Sequence, residues 1–168
     1  MPSQPPPDKE LKEPEKRLDP RAKLLWGFTG ALQAAPILVG GAFGSYVLYT
    51  RADAPLYLAA LPVIGALVLA VLLVFVLPPL LWRRWRYEIR PLEVDMQRGL
   101  VRVTRTLVPM ARVQHVDTRR GPLQRRLGLS TVVFYTAAGP NEIPQLATGT
   151  AAEVRDRIAE LTRTADEL

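Results

Sequence analysis

The chain has 168 residues, no cysteine and a formal net charge of +6. Without cysteine it has no disulfide, no thiolate metal site and no lipidated cysteine. The length allows a single soluble domain, but two long uncharged stretches, residues 24–49 and 54–82, leave only a polar leader and a C-terminal tail for anything else.

The leader, residues 1–23, is rich in proline, lysine and glutamate. It holds too little apolar surface to offset the entropy of ordering, which predicts a disordered cytoplasmic segment. A bilayer core about 30 Å thick is crossed by about 20 apolar residues in a helix. Residues 24–49 and 54–82 both exceed that length, so each is expected to be a transmembrane helix. Only Thr50 to Asp53 separates them. So short a turn cannot return the chain across a membrane, and the two helices must form an antiparallel hairpin. A cleaved signal peptide is the rival reading of the first span, but the run is too long and a second span follows at once.

Lys16, Arg17, Arg21 and Lys23 precede the first span, and Arg83, Arg84 and Arg86 follow the second. The turn carries Arg51 beside Asp53. Positive residues stay on the cytoplasmic side, so a multi-pass protein of the cytoplasmic membrane is expected, with both termini inside. Within the hairpin, Gly40-x-x-x-Gly44, with Ala31 and Ala35 one face away, lets helices approach closely. Packing of the hairpin's own helices is preferred over a contact with another membrane protein. Pro62 predicts a kink, and Pro78-Pro79 an early helix end. Gln33 is the only amide-bearing side chain in the spans, and no Asp, Glu, Lys, Arg or His accompanies it. A transporter or channel usually needs one, so the hairpin reads as an anchor.

The tail, residues 83–168, is long enough for one small domain. Residues 84–89 alternate and suit a strand, with Trp82 and Trp85 expected at headgroup level. Gln97-Arg98-Gly99 reads as a turn. Residues 100–107 predict a half-buried strand with Val101, Val103 and Leu107 on its apolar face and an irregularity at Arg105. Residues 111–118 predict a third strand, bulged near Gln114-His115 because Val113 and Val116 break alternation. Gly121-Pro122 interrupts the chain. Residues 131–136 suit a strand buried on both faces. After a turn at residues 138–141, residues 142–146 suit an edge strand because of Pro144. Thr150 and Glu153 form a capping-box pattern. Val154, Ile158, Leu161, Ala165 and Leu168 then make one helical stripe, with Glu153 and Arg157 placed to pair.

The segment Val108-Pro109-Met110-Ala111-Arg112-Val113-Gln114-His115-Val116-Asp117, with Gly121-Pro122-Leu123-Gln124-Arg125-Arg126-Leu127-Gly128-Leu129, resembles the bacterial membrane-flanked pleckstrin-homology (PH)-like family, of the YdbS type. Val108 and Val113 stand where the family pattern has isoleucine, and Ala138-Gly139 fits its last element. The likeness covers roughly residues 24–161. It implies a membrane α-helical hairpin followed by an α+β PH-like domain: a bent antiparallel sheet capped by a C-terminal helix. It also implies action beside a larger relative with several such domains, and a link to envelope stress or antimicrobial-peptide resistance. It carries no catalytic activity.

Candidate partner or lipid contacts are Arg112, Gln114, Arg119, Arg120, Arg125 and Arg126. Arg112, Gln114 and Asp117 either form a recognition surface or fix the bend of the sheet through hydrogen bonds, with the structural role preferred. Arg119-Arg120 and Arg125-Arg126 either attract anionic lipid or are a solvated basic loop. The arginines lack interleaved stacking aromatics, so nucleic acid is not an expected partner. Membrane lipids and a membrane protein of the same family are. His115, the only histidine, lacks the partners of a metal site. No phosphate-binding glycine loop, zinc motif or nucleophile elbow occurs, so neither catalysis nor a cofactor is expected. The leading expectation is an anchored interaction module. An anionic-lipid sensor and a transporter subunit are the alternatives.

Overall fold

The computed structural model describes residues 13–52 and 54–166, with side chains described to residue 164. Two of its helices are long and apolar enough to cross a membrane, Ala22–Arg51 and Leu56–Arg84. The first, α1 (Ala22–Arg51), has 30 residues and contains Pro36. The second span is segmented into α2 (Leu56–Ala59), α3 (Leu61–Val71), a π-helical turn (Leu72–Val76) and α4 (Leu77–Arg84). The break expected at Pro62 falls at Ala60, which leaves Pro62 in the first turn of α3, where its missing N–H costs nothing. The π turn, which the sequence reading missed, ends at Val76, and only Leu77 separates it from Pro78 and Pro79 in α4. Two adjacent prolines cannot donate to the carbonyls one turn back, and a widened turn accommodates their rings.

The spans pack on small residues. A Cβ on Gly30 would collide with the backbone of Leu73, and one on Gly41 would meet the carbonyl oxygen of Pro62 at 2.9 Å. Ser45 Oγ accepts the N–H of Val63 at 3.1 Å. Gly44 meets Pro62 across the hairpin, whereas a Cβ on Gly40 would meet nothing within 4 Å. The Gly40-x-x-x-Gly44 pattern is therefore split: its second glycine packs inside the hairpin and its first faces outward.

Beyond the membrane segment, β2 (Arg86–Ile89), β3 (Glu93–Arg98) and β4 (Thr104–Pro109) form an antiparallel sheet. Its fourth strand is β1 (Lys16–Arg17), which pairs with Tyr87 and Arg86 of β2. The leader is thus ordered in its described part, and Leu18 is a core residue at 2% exposure. Residues 1–12 lie outside the described residues. The domain starts before the first span, not at Arg83, and the hairpin is an insertion between two paired strands. A second sheet follows, β5 (Val113–Arg119), β6 (Leu129–Thr136) and β7 (Gly139–Ala147), in that order. Helix α5 (Pro122–Leu127) joins β5 to β6, and α6 (Thr148–Asp166) closes the domain. Tyr87, Met110, Phe134, Ile143, Leu146 and Ile158 lead the core between these layers. The expected bulge appears as a register shift between Val113 and His115, and β6 is buried over its first six residues.

Several details differ from the sequence reading. Val101 and Val103 precede β4 and are 97% and 46% exposed, while Val108 carries the inward face of β4. The irregularity at Arg105 has a cause on the other face: its Nε donates to both oxygens of the fully buried Asp95, at 3.0 and 3.1 Å. That hydrogen bond holds the Arg105 guanidinium above its usual range, against the opposing pull of desolvation. Arg90 Nη2 approaches the same carboxylate at 3.6 Å, so the buried charge is compensated twice. Trp85 lies in the core at 9% exposure rather than among headgroups. Helix α6 begins two residues before Thr150; at its start Thr148 donates both its N–H and its hydroxyl to the carbonyl of Gly128. Arg157 pairs with Glu160 at 2.9 Å, not with Glu153.

Candidate membrane-facing site

Three contacts fix the PH-like domain to the base of the hairpin. Trp82 Nε1, on the last turn of the second span, donates to the carbonyl of Leu18 at 2.8 Å. The N–H of Asp19 donates to the carbonyl of Gln145 at 3.1 Å. Arg21 Nη1 donates to the carbonyl of Leu127, the last residue of α5, at 3.1 Å. Arg17 and Lys23 lie over the Trp82 ring at 5.6 and 4.8 Å, a favourable placement for cations on indole. Residues 17–21 therefore act as a strap that ties β7 and α5 to both spans.

The glycine-proline motif is the short helix α5. Pro122 takes its first position, Gly121 N–H donates to Gln124 Oε1 at 2.8 Å, and Gly128 ends it in the left-handed conformation at φ 67°. Gln124 Nε2 donates onward to Thr131 Oγ1 at 2.9 Å and Gln145 Oε1 at 3.0 Å. Gln145 is buried and has φ 53°, beside the register shift between β6 and β7. The uncharged residues of the motif thus hold α5 on the sheet, leaving Arg125 and Arg126 exposed in its last turn. Gln124 and Gln145 were missed as positioning residues. The capping-box spacing of Gln124 was a signal for the first, and nothing local marks the second.

The six candidate contact residues fall into two groups. Arg119, Arg120, Arg125 and Arg126 are exposed around the end of β5 and on α5, the helix joined to Arg21 at the start of the first span. Arg119 is additionally engaged by Tyr135: its guanidinium donates to the phenol oxygen and lies 5.7 Å from the ring centre. Arg112 and Gln114 lie at the opposite end of β5, roughly 20 Å away at a strand rise near 3.3 Å per residue. They line a groove of about 570 Å³ with Leu107, Pro109, Ala138 and Asn141. A smaller cleft of about 290 Å³ gathers Trp85, Arg98, Arg119 and Glu142. His115 stacks on Tyr135, with ring centres 4.1 Å apart, and stands 4.0 Å from Asp117. Among the described residues no group of three or more metal-binding side chains occurs.

Two small antiparallel sheets closed by a C-terminal helix, carried on a pair of apolar helices, define a membrane protein with a PH-like domain. The chain belongs to the bacterial PH domain family, whose model matches residues 35–162. It is 35% identical over 158 residues to the UPF0699 transmembrane protein YdbS of Bacillus subtilis strain 168, covering 92% of this chain and 97% of that protein. No solved structure gives a significant match.

Proposed function

We propose that this protein is a non-catalytic PH module tethered to the cytoplasmic membrane, with both ends of its hairpin inside the cell and the basic end of its domain held on anionic headgroups. The observation that carries this reading is the Arg21–Leu127 hydrogen bond, which joins α5 to the first span one residue before that span begins. The pairing of β1 with β2 also supports a hairpin whose two ends emerge on one side of the bilayer, with lysine and arginine crowded on that side. Each arginine near an anionic surface contributes about 1 kcal/mol. The tether adds a high effective concentration at no cost in further contacts. The full chain, released from bilayers of mixed phosphatidylglycerol and phosphatidylcholine and weighed by native mass spectrometry, should retain the anionic lipid preferentially. Arg125→Ala/Arg126→Ala should lose most of that preference. Equal retention of both lipids by the unmodified chain would reject the reading.

A second reading, contact with a membrane protein of the same family in an envelope-stress complex, is favoured by the groove of Arg112 and Gln114. That groove has apolar walls and lies on the other end of β5. It predicts cross-linking from Gln114→Cys to a co-expressed family member, and none from Arg125→Cys. A transporter subunit has no such support, since no Asp, Glu, Lys, Arg or His lies between residues 24 and 49 or 54 and 82.

A further inference from the structure

The β3–β4 turn, residues 99–103, carries the most exposed large apolar side chain among the described residues. Val101 is 97% exposed and Val103 46%, a cost in water that folding has not removed. Strand β2 starts two residues after α4 ends at Arg84. Arg86 is paired with Gln97, and β3 runs back antiparallel to β2. The turn therefore extends past the level at which the chain leaves the second span, by roughly 7 Å for two residues at a strand rise of 3.2–3.4 Å. Arg98 and Arg102 flank Val101 and are exposed. An apolar tip between two arginines suits the boundary of headgroups and acyl chains, where long cationic side chains stay with phosphate while the tip leaves water. The other strongly exposed apolar residue of this sheet, Leu92 at 77%, lies at the opposite end of β3, where no such placement exists.

We propose that residues 99–103 dip into the membrane that holds the hairpin, as a second, shallow anchor through Val101. This rests on the placement of the domain against the bilayer described above, but not on the arginines of α5. The chain has no cysteine, so single cysteines can be introduced without background. Val101→Cys and Leu92→Cys, each carrying a nitrobenzoxadiazole label on the full chain in phosphatidylcholine vesicles, should differ. The label at residue 101 should emit to the blue and lose most of its emission to lipids brominated on the acyl chain. The label at residue 92 should do neither. Arg102→Cys reads the same tip should Val101→Cys fail to fold, with a weaker response of the same sign. Water-like emission from residues 101 and 102, equal to that from residue 92, would overturn the proposal. Because these vesicles carry no anionic lipid, that result would leave headgroup selection by α5 standing. Blue emission with no lipid preference in mass spectrometry would do the reverse.

Discussion

Strand β5 has two ends with similar composition and different surroundings. At its start Arg112 and Gln114 border an open groove with apolar walls. At its finish Arg119 and Arg120 lead into α5, whose last residue is hydrogen-bonded to the base of the first span. Both ends carry exposed arginine. What distinguishes them is attachment. A cation far from a bilayer is screened within about 8 Å at physiological salt, while one held at the surface interacts with every headgroup beneath it. In the proposed reading, Arg119, Arg120, Arg125 and Arg126 gain their significance from the strap of residues 17–21, which lies about a hundred positions earlier in the chain.

Breaking the strap should have the largest effect. Leu18→Asp places a carboxylate at a core position that is 2% exposed. It should destabilise the domain by about 4 kcal/mol, seen as a lower thermal midpoint in detergent, and the lipid preference should disappear with it. Next comes the hairpin that carries the strap. Gly41→Leu forces a side chain against Pro62 and Ala66 and should cost about 2 kcal/mol, whereas Gly40→Leu, in open space, should leave the midpoint unchanged. Salt discriminates between the two ends of β5 more gently. Raising ionic strength from 0.05 to 0.5 M should erode anionic-lipid retention in the unmodified chain, because exposed charges are screened, and Arg112→Ala should alter neither the retention nor its salt dependence.

The smallest effect concerns the core that the strap completes. Tyr87 is buried, and its phenol is held above its usual range, first by burial and then by Glu153. A raised acid binds its proton more tightly folded than unfolded. Its contribution is whole below the ordinary phenol value near pH 10 and is lost as pH rises through the raised one. Alkaline titration should therefore show stability falling above pH 10 in the unmodified chain, and falling less steeply in Tyr87→Phe.

The hairpin and strands β2, β5, β6 and β7 were legible because each depends on local pattern, whereas β3 (Glu93–Arg98) was missed and its last two residues were read as part of a turn that falls instead at residues 99–103. Uncharged length marks a span, continuous apolar residues mark β6, and the Val113–Val116 spacing marks the bulge. Strand β1 was not legible: Lys16 and Arg17 are polar, and their pairing partners Arg86 and Tyr87 lie beyond both spans. The wrong face was chosen for β4 for a related reason. Alternation put Leu107 inside, but the inward residue is Val108, while the face of Arg105 is sealed by an ion pair to Asp95. A buried carboxylate that depends on two arginines elsewhere in the chain leaves no periodic signature. The six candidate contacts were named from charge and motif, and their division into two groups became visible only when α5 was seen against Arg21.

Hydrogen exchange on the full chain in nanodiscs is the most direct test of membrane contact at one end of β5 alone. Amides of residues 119–128 should exchange more slowly in phosphatidylglycerol than in phosphatidylcholine, with residues 110–116 unchanged between the two lipids. Identical exchange at residues 119–128 in both lipids, or protection confined to residues 110–116, would contradict it.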